Sequence, residues 1–122
     1  MEFNNNKPIY LQLVDYFFEK ILRKQILTGD KIMSVRELAE EAQVTPNTAN
    51  RAYAYMQQLG IIYNKRGIGY FVSEEAFERT MQIKRTEFIE KDLPVFFNTL
   101  DMLNMSFDEL KELYNKLKIS PK

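Results

Sequence analysis

Tyr10, Leu13, Val14, Phe17, Ile21 and Leu22 recur three and four residues apart, the spacing that lines one face of an α-helix with apolar side chains. Pro8 suits the first helical turn, where a missing N–H leaves nothing unpaired. The pattern runs to about Leu27, and Thr28-Gly29-Asp30 breaks it. Residues 1–6 are polar and expected to fray. Ser34 followed three residues later by Glu37 is a capping box. It opens a short helix with Leu38, Ala39 and Ala42 on one side. Thr45-Pro46 is a second start signal, an N-cap followed by proline at the first helical position. That helix points Ala49, Ala52, Tyr53 and Met56 inward and stops at Gly60. Two short helices so tightly joined predict a helix-turn-helix. In IIYNKRGIGYFV (61–72), two β-favouring runs flank a segment with two glycines and two cations, which predicts a hairpin with a basic tip. Helix, helix-turn-helix, hairpin is the order of a winged helix.

The pattern then changes. Ser73 is placed to cap a helix whose apolar positions are Phe77, Met81, Phe88, Leu93, Phe96, Phe97, Leu100 and Leu103. Pro94 within it predicts a kink or a break between two helices. Ser106 with Glu109 opens a last helix through Leu110, Leu113 and Leu117, ending before Pro121. The fold class expected is mainly α with one small β-hairpin. A winged helix-turn-helix occupies residues 1–73 and a helical tail residues 74–122.

Composition narrows what these elements do. The 122 residues include no Cys, His or Trp, so disulfides, thiolate metal sites and a Ser-His-Asp triad are excluded. No apolar run is long enough to span a membrane, and MEFNNNKP does not read as a signal peptide. A soluble cytoplasmic protein is the expectation, with no cofactor and no residue pattern that specifies a small-molecule effector. Net charge is zero, but it is unevenly placed. Residues 7–72 hold nine basic and six acidic side chains, and residues 73–122 hold eight and ten. Residues 43–72 contain no Asp or Glu while carrying Arg51, Lys65 and Arg66. A polyanionic partner accounts for such a gap, because each carboxylate near a phosphate weakens binding.

The candidate chemistry is therefore recognition. A recognition helix offers its N-terminal residues to base edges. Here those are Thr45, Asn47, Thr48, Asn50 and Arg51, with Ser34 and Arg36 alongside. Capping accounts for Thr45 but not for Asn47, Asn50 and Arg51 together. Asn suits adenine and Arg suits guanine. At the hairpin tip, Lys65, Arg66, Gly67 and Gly69 combine charge with a backbone that tolerates close approach. Turn geometry and solubility would explain the tip if it stood alone. Phe77, Met81, Phe88, Leu93, Phe96, Phe97, Leu100 and Leu103 fit a subunit interface better than a small-molecule pocket, because so short a helical segment can hardly enclose a ligand and bury its own apolar face. Glu40-Glu41, Glu74-Glu75 and Asp108-Glu109 diverge on a helix and read as solvated faces, not as acid–base pairs. A winged-helix module that binds protein rather than DNA is the alternative, and the wing cations discriminate between the two.

GDKIMSVRELA (29–39), VTPNTANRAY (44–53) and KRGIGYFV (65–72) together resemble the GntR family of bacterial transcription regulators. The Pro-Asn-Thr and Arg-Ala-Tyr pieces, and KDLPVFF (91–97) before a short last helix, are similar to its YtrA-type branch. The resemblance implies a repressor, homodimeric through its C-terminal helices, on an inverted-repeat double-stranded DNA operator. It also implies control of a transporter operon. Arg36 would reach the DNA, Thr45, Asn47, Thr48, Asn50 and Arg51 would meet bases and phosphates, and Arg66, Gly67 and Gly69 would abut the minor groove. This chain departs from the family pattern in having Ile32-Met33 where Leu-Pro is usual. Pro46 stands where many members carry Arg, Ala49 where an aliphatic residue is usual, and Gln43 where the turn often has a smaller residue.

Overall fold

A computed structural model describes residues 1–118. The helices are α1 (Ile9–Leu22), α2 (Val35–Ala42), α3 (Pro46–Gln58), α4 (Ala76–Glu87), α5 (Leu93–Met102) and α6 (Phe107–Leu117), and the hairpin strands are β1 (Ile62–Lys65) and β2 (Gly69–Val72). The chain divides into two compact units, Met1–Ile83 and Lys84–Lys122.

The first unit is built on one core. Leu13, Val14, Phe17, Phe18 and Ile21 of α1 pack with Leu38, Ala39 and Ala42 of α2, Ala49, Ala52, Tyr53 and Met56 of α3, and Ile61, Ile62 and Val72 of the hairpin. Small residues at 39, 42, 49 and 52 let the helices approach closely, while Phe17, Tyr53 and Tyr70 fill the centre edge to face. The Tyr53 hydroxyl donates to the Met33 carbonyl at 2.6 Å, so this large buried side chain leaves no polar atom unpaired. Burial pushes its phenol well above the ordinary value, helped by Tyr70 and Glu37.

Local signals decide the element ends. Ser34 Oγ accepts from the Glu37 N–H at 3.1 Å, and Glu37 Oε1 accepts from the Ser34 N–H at 2.9 Å. That is the capping box expected from the sequence. The turn between α2 and α3 depends on Gln43, which adopts a left-handed conformation (φ 56°) and lets the Val44 N–H bond back to the Ala39 carbonyl at 3.0 Å. β1 and β2 pair antiparallel with Ile62 opposite Val72 and Lys65 opposite Gly69. Lys31 adds a bridge to Phe71, supported by Ile32 N–H to Tyr70 O at 3.0 Å and Val72 N–H to Asp30 O at 2.9 Å. The hairpin is thereby tied to the segment that leads into α2.

Two helix boundaries differ from expectation. Helix α1 ends at Leu22, not near Leu27, because Lys24 turns left-handed (φ 58°) and Ile26 folds onto the core. Ser73 does not cap a helix: its hydroxyl donates to the Gly60 carbonyl at 2.6 Å, and α4 begins at Ala76. In α4, Ala76 and Thr80 are buried and Phe77 and Ile83 pack on the core of the first unit. At Pro94, where a kink or a break is expected, the helical run continues with a disturbed hydrogen-bond ladder. A π-helical turn, Phe88–Asp92, stands before α5, and Pro94 sits in the first turn of α5. Proline cannot donate to the carbonyl four residues back, and a wider turn is one way the ladder absorbs that loss.

In the second unit Leu100 is buried, while Val95, Met102, Phe107, Tyr114 and Leu117 each expose 61–73% of their surface. Ser106 Oγ caps α6 by accepting from the Glu109 N–H at 3.1 Å. Pro121, expected beyond the last helix, lies outside the described residues.

Candidate nucleic-acid interface

Helix α3 sets the geometry of the site. Its inner side is marked by Ala49, Ala52, Tyr53 and Met56, all fully buried. At 100° per residue, Asn47, Arg51, Ala54 and Gln58 fall on the opposite side, with Asn50 and Gln57 on one flank. All six are exposed. The side chains of Asn47 and Asn50 make no hydrogen bond to another described residue, so their amides are free to pair with a ligand. Ala54 was not anticipated from the sequence; its small side chain leaves the middle of the face open to close approach.

Two threonines are differently employed. Thr45 Oγ1 accepts from the Thr48 N–H at 3.1 Å and lies 2.9 Å from Thr48 Oγ1. Both hydroxyls belong to the helix cap, and Thr48 is half-buried. Ser34 is likewise committed, through both its N–H and its hydroxyl, to the box that starts α2. Those hydrogen bonds, with the nearby Lys31 charge, hold the Glu37 carboxyl below its ordinary range. Arg36, the second residue of α2, is exposed and has no partner among the described residues.

The hairpin supplies the second edge. Ile68 N–H bonds to the Lys65 carbonyl at 2.9 Å across Arg66-Gly67, and Gly67 has φ 77°. A positive φ at the third turn position is one that glycine adopts without strain. Arg66 stands at the exposed tip without a partner among the described residues. Lys65 folds over the Phe71 ring at 4.9 Å, and Phe71 stacks on Tyr63. At Gly69 a Cβ would fall 3.0 Å from Lys31 Cε, so the missing side chain makes room for a third cation beside the wing. Periodicity could not reveal Lys31, because its place depends on a bridge formed 40 residues along the chain.

Arg51 is exposed, yet its guanidinium lies over the Tyr10 ring at 4.2 Å. Tyr10 in turn meets Tyr55 edge to face. Tyr10 reads from the sequence only as a core residue of α1.

The residues expected at an interface between subunits separate. Phe77 packs on the core of the first unit beneath the Lys24 ammonium, and Leu100 is buried within the second. Met81 and Leu93 are half-buried, and Phe88, Phe96, Phe97 and Leu103 are exposed. Phe107, Leu110, Leu113, Tyr114 and Leu117 join Phe96 in an open apolar groove on α5 and α6. None of the described helices is long and apolar enough to cross a membrane.

A helix-turn-helix whose second helix shows an acid-free polar face, flanked by a basic hairpin, defines a winged-helix DNA-binding protein. The family described as "Bacterial regulatory proteins, gntR family" matches residues 9–72. The chain belongs to this GntR family, whose members are transcriptional regulators and not enzymes. It is 48% identical over 75 residues to the uncharacterized HTH-type transcriptional regulator YhcF of Bacillus subtilis, covering 62% of either chain. It is 38% identical over 82 residues to the HTH-type transcriptional repressor YtrA of the same organism, covering 67% of this chain and 63% of that one. The chain thus spans about three fifths of the length of these curated relatives. A GntR family transcriptional regulator from Listeria monocytogenes superposes with TM-score 0.74 at 31% identity, over 93% of this chain and 98% of that one. The AraR DNA-binding domain in complex with operator ORX1 matches 59% of this chain and 93% of its own, with TM-score 0.55 and 26% identity.

Proposed function

We propose that the protein represses transcription by binding an inverted-repeat operator as a homodimer, in the cytoplasm. The observation that carries this reading is the outward, carboxylate-free surface of α3 and the hairpin. The side chains of Asn47 and Asn50 stand there unpaired, and Arg36 on α2 and Arg66 at the hairpin tip are exposed as well. Unpaired, exposed amides and cations suit base edges and phosphates. The AraR domain on its operator supports duplex DNA as the partner, and the name of the YtrA relative supports repression.

The homodimer rests on the second unit. A segment so small, with so many exposed aromatic and aliphatic side chains, needs a partner to cover them. Phe88, Phe96, Phe97 and Leu103, with Phe107, Tyr114 and Leu117, are the residues for that role. Leu93 and Met81 stand at its margin. Two copies joined there would present two α3 helices to successive major-groove segments, about 34 Å apart on B-DNA. Control of a transporter operon, implied by the branch resemblance, follows as the biological setting.

Selection from a random duplex library with purified protein tests the reading. Enrichment of a two-fold symmetric sequence, shifted as a complex of two chains per duplex, is the expected result. No enrichment over the starting pool would refute it. A winged-helix module that binds only protein makes a different forecast: reversing Lys65 and Arg66 to Glu would leave all binding intact, whereas the operator reading expects DNA binding to collapse.

A further inference from the structure

Arg51 and Asn50 are neighbours on α3, but their side chains are held differently. Asn50 stands free, and the Arg51 guanidinium is folded against α1, 4.2 Å from the Tyr10 ring centroid. Tyr10 is itself half-buried and braced by Tyr55, with ring centroids 6.1 Å apart at 81°. The cation is therefore seated on a fixed plate, not swinging at the end of a long chain. Stacking occupies the flat face of a guanidinium and leaves its in-plane N–H donors free. Arg51 forms no ion pair with a described residue, so those donors are unspent.

Position then decides what they meet. When a recognition helix lies in the major groove, its crest meets the base edges and its flanks run beside the sugar–phosphate walls. A guanidinium drawn off the crest of α3 onto α1 faces the wall of the groove, not its floor. Building on the DNA-binding reading above, we propose that Tyr10 is a positioning residue that aims Arg51 at a backbone phosphate. Base reading on α3 is left to Asn47 and Asn50. Pre-ordering the long Arg51 side chain also reduces the entropy lost when the contact forms.

The test compares Arg51→Ala, Tyr10→Leu, Tyr10→Phe and Tyr10→Leu/Arg51→Ala with wild type. Affinity for the selected operator and for an unrelated duplex is measured over a series of salt concentrations, with thermal midpoints establishing that each variant is folded. Arg51→Ala should weaken both duplexes by the same factor, leaving their ratio unchanged. It should also flatten the plot of log affinity against log salt by about 0.9 for each protomer bound. Tyr10→Phe, which keeps the ring face, should match wild type. Tyr10→Leu should weaken binding in the same non-selective way, and the double variant should be no weaker than Arg51→Ala alone. A collapse of the operator-to-unrelated ratio in Arg51→Ala would make Arg51 a base reader and overturn the proposal. So would a Tyr10→Leu effect that persists undiminished in the Arg51→Ala background, or no Tyr10→Leu effect at all. Wild type that binds no duplex would instead defeat the DNA reading itself.

Discussion

Arg36 carries the simplest forecast at the scale of single residues. It is exposed, unpaired and in the first turn of α2, so removing it should leave the fold alone. If it makes a bidentate base contact, Arg36→Ala weakens operator binding by about 1–3 kcal/mol, read by mobility shift. Unchanged affinity would remove it from the interface. Tyr53 tests the core. Tyr53→Phe leaves the Met33 carbonyl without its donor and should lower stability by about 1–3 kcal/mol in urea titration. Its raised folded value fixes the sign of the pH dependence. The Tyr53 contribution is fully present below the ordinary tyrosine value of 10.0. It is lost as pH rises through the folded value, because only the unfolded chain ionises freely there. Above pH 10 the stability gap between wild type and Tyr53→Phe should therefore narrow. Exposed, unpartnered candidate residues were legible where their chemistry is local. Asn47, Asn50, Arg36 and Arg66 stand out by type and position. The capping duty of Thr48, the seat of Lys31 and the stacking of Arg51 on Tyr10 join residues distant in sequence or compete with capping, so no spacing announced them.

Among the elements, α2 shows how a two-residue signal fixes a boundary. Replacing Ser34 with Ala removes the acceptor for the Glu37 N–H and should lower the thermal midpoint, by an amount corresponding to about 0.5–2 kcal/mol. Glu37 supplies a pH signature. Its folded value lies below the ordinary 4.5, so its contribution is present above that pH and fades as pH falls through the folded value. Wild type should exceed Glu37→Gln in thermal midpoint at neutral pH, and the two should converge in acid; a constant difference would contradict the cap. The helix starts at Ser34, Thr45 and Ser106 and the hairpin were legible because capping and turn chemistry act over three or four residues. The end of α1 was not, because the apolar pattern runs past Lys24 while the backbone turns there. Pro94 announced a disturbance but could not say that a π-helical turn would absorb it. The bridge from Lys31 to Phe71 is a tertiary pairing with no local signature.

For the whole molecule, the proposed homodimer is the claim to test. Phe96→Glu places a carboxylate in the exposed apolar groove and should convert dimer to monomer in sedimentation, leaving the first unit folded. It should also weaken operator binding, because two linked half-sites bind more tightly than one. A variant that stays dimeric would locate the interface elsewhere. The apolar spacing of residues 77–103 foretold helices with a face to cover. It could not divide that face between the core of the first unit, which takes Phe77, the core of the second, which takes Leu100, and a partner. The central claim remains the outward face of α3 against a polyanion, and its most direct measurement is the affinity of the selected duplex for wild type and for Asn50→Asp. The substitution is exposed and nearly isosteric, and it puts one carboxylate where residues 43–72 have none. Binding weakened by about tenfold or more, with the loss shrinking as salt rises, is the result expected of a charge set against phosphates. Equal affinity of the two folded proteins at low salt would contradict the account.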